Sequence, residues 1–307
     1  YKNFNNKLGL QFSIMNINLK SEFSIFELGI NKSGEMDVLI KILNPHYCLI
    51  TCIEDSHIGR FDNFNSLVKN KIKIFDSKNL IKGLINFRYS KPKIKKKINS
   101  KITHINIDNI QKKIIKKNPF QINFSLNNKD YKIKSDLDDI YIETAILTFL
   151  FLKNFINKKL NSKYFYKNAI LSNRGKIISR KFKNKLLKIH DHSYNSSPYS
   201  LKKQLISFDN KKLNKKLCII GSMKELGSRT NYYHKEIINL VSTLNFDKTI
   251  LIGTEFYKLK KHNKSFKFYK TTQSYIKYMM SDLSIHNNIF IMGSRYYRLE
   301  SIIDKIC

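Results

Sequence analysis

Polar side chains that could bind a ligand occur at five places in this chain, each directly after an apolar run typical of a buried strand. The places are Glu27, residues 54–57, Asp191 to Asn195, Gly221 to Glu225, and Gly293 to Arg295. Together they offer carboxylate, imidazole, amide and guanidinium groups. Ligands of α/β proteins gather where the carboxyl ends of parallel strands meet. The pattern therefore predicts a ligand site between two α/β domains.

The elements that must position the first of these groups alternate between strand and helix. Such alternation predicts an α/β layer with a parallel sheet. The predicted elements are strands over 23–30 and 47–53 and helices over 34–43, near 64–75 and near 137–155. From about 80 to 135 the pattern weakens into short alternating pieces that could add strands at the sheet edge.

The second half restarts the pattern and predicts a small Rossmann-like domain. Ser197 can cap a helix over 199–208, with Pro198 at its first position. The other predicted elements are strands over 185–190, 216–222, 248–253 and 288–294 and helices near 230–243, 272–283 and 296–306. We expect the boundary near 170–184, which gives domains over 1–172 and 173–307.

The charge of the chain suggests a polyanionic partner, with 57 Lys and Arg against 23 Asp and Glu and a formal net charge of +34. However, residues with AT-rich codons abound, Trp is absent, and the positive charge runs through almost every segment. A nucleic-acid-binding protein would concentrate its charge on one face. Codon bias is therefore the preferred explanation, and a basic nucleic-acid-binding α/β protein is the alternative.

The cysteines contain no CxxC pair and complete no zinc site, so Cys48 and Cys218 are predicted to be buried thiols in a reducing cytosol. The most apolar run, residues 140–152, is too short to span a bilayer and carries Glu143. It is predicted to form a buried helix.

Several motifs occur in an order that resembles the Mur ligase family. The matching segments are NFNNKLGL (3–10), FELGINKSGEMDVL (26–39), ITCIEDSHIGRFDNFNSLVKNK (50–71), DHSYNSSP (191–198), GSMKELG (221–227) and GSR (293–295). The Ser-Tyr-Asn and Met-x-Glu-Leu-Gly pieces are similar to the branch that joins D-alanyl-D-alanine to UDP-N-acetylmuramoyl-tripeptide. The resemblance thus implies a cytoplasmic, monomeric ligase of peptidoglycan precursor synthesis that uses ATP and Mg²⁺.

The resemblance also implies roles for individual residues. Glu27 and His57 match metal-binding positions of the family. Lys71 matches a catalytic lysine whose carbamylated form holds a second metal ion. Lys69 lies two residues away, but the spacing from His57 favours Lys71.

Further matches concern the nucleotide and the other substrates. Arg174, Asp191 and Asn195 match ATP-contacting positions, and Tyr194 would pack at the hinge where the last domain closes. The matches on the substrate side are Asn6, Ser294 and Arg295.

Departures from the family pattern keep other functions open. No GxxGK[ST] phosphate loop occurs, Asp139 and Glu143 stand where the family has His and Asn, and Ser222 and Met292 replace an Asp and a Lys. The phosphate loop and a UDP-binding domain are expected upstream of Tyr1, so residues 1–307 alone should show no turnover. The alternatives are a remnant that has lost ATP chemistry and a relative of folylpolyglutamate synthase.

Overall fold

The computed structural model describes residues 4–87, 99–115, 120–126, 128–135, 141–156, 173–263 and 265–306. The chain divides into two compact units, residues 1–166 and 167–307. Part of the predicted boundary region, most of the lysine-rich run 91–101, Asp139 and Cys307 lie outside the described residues.

The first unit begins with a parallel sheet of three strands in the order β1-β2-β3. Leu10, Met36 and Leu39 form one small core beside the sheet, and Cys48 and Phe75 belong to another. The elements are helices α1 (Lys7–Met15), α2 (Glu35–Leu43) and α3 (Phe64–Ile72) and strands β1 (Tyr47–Ile50), β2 (Lys82–Asn86) and β3 (Ile102–Ile105). The predicted helices over 34–43 and 64–75 are confirmed, the second ending in a 3₁₀ turn over Lys73–Asp76.

The weakly patterned region does not simply extend the edge of this sheet. β2 and β3 join the parallel sheet, but β4 (Gln111–Ile115), β5 (Phe120–Leu126) and β6 (Lys129–Ser135) form a separate antiparallel one. Alternating side chains such as Ile122 and Phe124 point inward from β5 and pack with α4 (Ile142–Phe151). The predicted buried helix is thus confirmed, and a π-helical turn over Leu152–Ile156 continues it.

The predicted strand over 23–30 is wrong in one respect, because this segment joins no sheet within the described residues. Its side chains differ in burial: Ile25 is 95% exposed, whereas Ile30 is 5% exposed. The backbone N–H of Gly29 donates to the carbonyl of Asn5 at 3.0 Å. The apolar run reflects burial of one face only, and a strand requires a ladder partner as well.

The second unit has a six-stranded sheet in the order β11-β10-β9-β12-β8-β7. All neighbouring strands are parallel except β7 and β8. The strands are β7 (Lys176–Phe182), β8 (Lys185–His192), β9 (Lys216–Gly221), β10 (Lys248–Ile252), β11 (Lys267–Tyr269) and β12 (Asn288–Met292). The helices are α5 (Pro198–Asp209), α6 (Thr230–Ser242), α7 (Thr254–Lys258), α8 (Thr272–Ile276), α9 (Met279–Ile285) and α10 (Glu300–Asp304).

The four predicted strands and the Ser197 cap of the second unit are confirmed, and so is its α/β class. The predicted helix over 272–283 is two helices, and the one over 296–306 is a 3₁₀ turn followed by α10. β7 and β11 were missed. β7 is an exposed edge strand whose polar residues give no alternating signal, and β11 is only three residues long. No helix within the described ranges is both long enough and apolar enough to cross a bilayer.

Candidate functional site

Lys71 lies in the last turn of α3, in a partly buried position. Burial lowers the pKa of its ammonium group, while the nearby Cys52 and Glu54 act in the opposite direction. Its neutral amine therefore forms at a lower pH than that of an ordinary lysine. Glu54, which follows β1, is itself buried at 5% exposure.

A buried amide holds α3 in place. The Oδ1 atom of Asn70 accepts from the Ser33 hydroxyl at 3.0 Å and from the Gly34 N–H at 3.2 Å. Its Nδ2 atom donates to the Ser66 carbonyl at 2.9 Å. This contact ties the Lys71 helix to the loop before α2. Sequence reasoning missed Asn70 because nothing distinguishes it from the many other asparagines.

The loop after β1 carries His57 in a left-handed conformation with φ 61°. The side chain of Asn86 fixes the start of this loop, donating to the Thr51 carbonyl at 2.8 Å and accepting from the Ile107 N–H at 3.1 Å. A left-handed non-glycine residue in a polar loop at a strand end is a common feature of functional sites.

Glu27 and Asn6 have partners close by. The Glu27 carboxylate is exposed and accepts from the Asn5 side chain at 3.1 Å. Asn6 caps α1, its Oδ1 atom accepting from the Gly9 N–H at 2.9 Å.

Among the described residues, no three His, Cys, Asp or Glu side chains lie close enough together to hold a metal ion. Mg²⁺ usually needs only one or two protein carboxylates besides substrate phosphates and water, so these donors fit it chemically.

In the second unit, backbone pairing brings Arg174 beside the loop after β8. The Gly175 N–H donates to the Asp191 carbonyl at 2.6 Å, and the Tyr194 N–H donates to the Asn173 carbonyl at 3.0 Å. As a result the Arg174 guanidinium carbon lies 4.1 Å from the centroid of the Tyr194 ring.

Arg295 lies 5.3 Å from the centroid of the same ring. Tyr194 therefore brings together Arg174, a predicted ATP residue, and Arg295, a predicted substrate residue. Asp191 is buried, and its carboxylate accepts from the N–H and the hydroxyl of Ser193 at 3.1 and 2.7 Å. Asn195 is exposed.

The buried Ser294 begins the turn that presents Arg295. Its N–H donates to the Ser222 carbonyl at 3.3 Å. The strand ends approach very closely here, since a Cβ atom on Gly293 would lie 2.6 Å from the Cα atom of Gly221. Only glycine fits such a contact between backbones.

An ion pair that sequence reasoning missed joins three strand-end loops. The Glu255 carboxylate accepts short hydrogen bonds from the Lys224 ammonium and the Tyr297 hydroxyl. Burial, the largest single influence, would raise the pKa of Glu255, but these two bonds, a backbone hydrogen bond and the charge of Lys224 together outweigh it and hold the pKa at about 2. Its position two residues after the Gly253 strand end was the available signal.

His234 on α6 is fully buried below this network. Its Nε2 atom accepts from the Met223 N–H at 3.0 Å, so Nδ1 carries the proton and donates to the Thr230 carbonyl at 2.7 Å. Burial lowers the pKa of the imidazole, and so does the charge of Lys224. The hydrogen bond to Thr230 and the charge of Glu255 raise the pKa but do not offset burial. His234 thus holds the loop after β9 as a neutral side chain.

The folds of the two units, with functional groups at the strand ends, define a two-unit α/β protein with a parallel sheet in the first unit and a largely parallel one in the second. The chain belongs to the Mur ligase family, because the profile of the Mur ligase middle domain matches residues 1–172. The resemblance inferred from the motifs is thereby confirmed.

The similar proteins all carry the name of the same ligase. The UDP-N-acetylmuramoyl-tripeptide–D-alanyl-D-alanine ligase of Rickettsia prowazekii (strain Madrid E) is 29% identical over 320 residues, covering 98% of this chain and 70% of its own. MurF from Acinetobacter baumannii superposes with a TM-score of 0.81 at 18% identity, over 100% of this chain and 69% of its own. MurF ligase from Thermotoga maritima in complex with ADP superposes with a TM-score of 0.80 at 17% identity, over 100% of this chain and 72% of its own.

Proposed function

We propose that this chain belongs to an ATP-dependent ligase that adds D-alanyl-D-alanine to UDP-N-acetylmuramoyl-tripeptide in peptidoglycan precursor synthesis. The enzyme would act in the cytoplasm as a monomer. The structural observation that carries the proposal is the partly buried Lys71, whose pKa is lowered beside the strand-end loop of Glu54 and His57. The relatives that share the name of this ligase support the choice of branch.

The reaction has two steps. The tripeptide carboxylate attacks the γ-phosphorus of ATP, forming an acyl phosphate and releasing ADP. The amine of the dipeptide then attacks the acyl carbon, inorganic phosphate leaves, and the amine proton passes to solvent or to a base. Phosphoryl transfer depends mainly on alignment and charge neutralisation. Guanidinium groups such as that of Arg174 suit phosphate oxygens.

Lys71 acts in this proposal as a carbamate. The lone pair of its neutral amine forms a bond to the carbon of CO₂, and a proton leaves the nitrogen for solvent. The product is an anion in place of a cation. The lowered pKa favours this step because only the neutral amine reacts. Glu27, His57 and carbamylated Lys71 would hold Mg²⁺, and the bound ion would neutralise charge on the phosphates.

The remaining predicted residues bind substrates. Asp191 and Asn195 follow β8 and would contact the nucleotide together with Arg174. Asn6 would act on the substrate side through the segment that it caps, since its Oδ1 atom already serves α1. Ser294 would position Arg295, and Arg295 would contact the incoming dipeptide.

The test is turnover by the complete reading frame that contains these 307 residues. The purified protein receives ATP, Mg²⁺, the UDP-tripeptide and the dipeptide, and phosphate release and product mass are recorded. We expect product formation that requires both substrates. A well-folded complete protein that forms no product would favour the remnant alternative.

A further inference from the structure

The hairpin of β7 and β8 lies at one edge of the second sheet and has two different faces. Its strands are joined by a turn at Lys183, which adopts a left-handed conformation with φ 50°. One face packs on the core of the unit through four apolar side chains, those of Ile178, Phe182, Leu187 and Ile189. Because side chains alternate across a strand, the residues between these four point to the opposite face.

The opposite face combines exposed aliphatic and cationic side chains. Ile177 is 42% exposed and Leu186 is 54% exposed. Lys181 pairs with Leu186 across the hairpin, and Ser179 pairs with Lys188, so these side chains share one surface. Both lysines are exposed. These five residues form the hairpin face.

Helix α5 covers the hairpin only beyond one end of this face. His190, the strand partner of Ile177, is 5% exposed because the Phe208 ring of α5 packs against it, with ring centroids 5.0 Å apart. Towards the turn, Lys181, Leu186 and Lys188 remain exposed. Exposed aliphatic side chains interspersed with lysines are typical of elements that lie at a membrane interface.

The charge of the hairpin has one sign. Residues 174–190 contain seven Lys and Arg and no Asp or Glu. Desolvation and the charge of the neighbouring Lys215 lower the pKa of Lys185, so a further cation lies close to the turn end of the hairpin. Two carboxylates at the same end of the sheet already form ion pairs, Asp209 with Lys216 and Asp282 with Lys248.

Two kinds of polyanion match this charge, an anionic lipid bilayer and a nucleic acid. The aliphatic side chains favour the bilayer, because they enter the boundary between headgroups and acyl chains while lysines remain at the headgroups. A nucleic acid is bound through phosphate contacts, and single-stranded bases stack on aromatic side chains. Phe182 is the only Phe, Tyr or Trp of β7 and β8, and it packs on the core.

We propose that the hairpin face docks on an anionic lipid bilayer. Ile177 and Leu186 contact the acyl boundary, and Lys181 and Lys188 contact lipid phosphates. The binding is peripheral and reversible, since each lysine near an anionic surface strengthens it only about fivefold. This inference goes beyond the proposed function, because the ligase reaction requires no contact with a membrane.

The first test is sedimentation of the 307-residue chain with vesicles of phosphatidylcholine alone or mixed equally with phosphatidylglycerol. We expect binding to the mixed vesicles only. Lys181→Gln combined with Lys188→Gln should weaken that binding about tenfold or more. Lys235→Gln combined with Lys277→Gln removes the same charge from exposed positions elsewhere in the unit and should weaken it less than about twofold. Equal losses for the two double variants would show adsorption governed by net charge and would overturn the proposal.

The second test uses the absence of tryptophan from the chain. Leu186→Trp places an indole on the hairpin face, and Met280→Trp places one at a 49% exposed position of α9. With mixed vesicles the emission maximum of Leu186→Trp should move to shorter wavelength, because its side chain leaves water for the membrane interface. The emission of Met280→Trp should not move. An unshifted Leu186→Trp that nevertheless sediments with the vesicles would show that another surface makes the contact.

Duplex DNA is the competing polyanion in the same assays. A chain that binds duplex DNA through Lys181 and Lys188 but does not bind the mixed vesicles would overturn the proposal in favour of the nucleic-acid alternative. Neither assay requires ATP or the ligase substrates. Failure of vesicle binding and failure of turnover are therefore separate results.

Discussion

Arg174 and Tyr194 form a cation–π contact in which the guanidinium carbon lies 4.1 Å from the ring centroid. The contact depends on the backbone pairing that sets residues 173–175 against the loop after β8. Arg295 shares the same ring at 5.3 Å, so one aromatic side chain holds two cations that would otherwise repel each other. An anionic substrate group beside this pair would be favoured by both.

We expect Tyr194→Leu to raise the KM for ATP of the complete enzyme about two- to fivefold, because the contact of this ring with Arg174 contributes roughly 0.5–1 kcal/mol at a partly exposed site. Tyr194→Phe keeps the ring and should leave KM nearly unchanged. Tyr232→Leu removes an exposed tyrosine of α6 and is the control. Equal effects of the Leu and Phe variants would show that the hydroxyl matters and the ring does not.

Lys71→Ala should lower kcat by at least roughly tenfold, the usual scale for damage to a metal site. Lys69→Ala is the matched control, since Lys69 is exposed on the same helix. ¹³C NMR of protein equilibrated with labelled bicarbonate should show a carbamate signal that Lys71→Ala removes and Lys69→Ala retains. The carbamate signal should grow as pH rises, because only the neutral amine reacts. Since burial lowers the pKa of Lys71, the signal should appear at a lower pH than the carbamate of an ordinary lysine would. A signal that survives in Lys71→Ala would contradict the assignment.

His234 should make the second unit acid-sensitive. Its pKa is lowered in the folded state, so below about pH 6.5 the unfolded chain takes up a proton that the folded chain does not. The free energy of unfolding should therefore fall as pH drops below about 6.5, by at most about 1.4 kcal/mol per pH unit. Hydrogen exchange of the β9 and β10 amides measures this, and His234→Gln should flatten the dependence. His46→Gln, in the first unit, should not alter it.

Glu255 should affect stability at lower pH. Its folded pKa of about 2 lies below the ordinary value, so its stabilisation is present above about pH 4.5 and is lost as pH falls towards 2. Glu255→Gln should lower the free energy of unfolding by about 1–2 kcal/mol at pH 7, allowing for solvent screening, and by little at pH 2. Glu236→Gln breaks a more exposed pair with Lys202 and should cost about 0–1 kcal/mol. A loss for Glu255→Gln that is equal at both pH values would contradict the charge argument.

Local sequence was sufficient to predict an element where residues close in the chain determine its structure. Ser197 and Pro198 fix the start of α5, because the cap and the first-turn proline act within four residues. Residues 23–30 show where local reading fails. Their apolar character predicts burial, but a strand also depends on a partner that the run itself cannot specify.

The sequence by itself determined the family, the α/β class and most strands of the second unit, because ordered motifs and buried parallel strands leave strong local patterns. Only the tertiary structure decided that Tyr194 joins Arg174 and Arg295, and that Lys224, Glu255 and Tyr297 tie three loops together. These contacts join residues 20 to more than 100 positions apart in a chain rich in lysine and tyrosine. Their partners are selected by which strand ends become neighbours in the sheet, which no local pattern encodes.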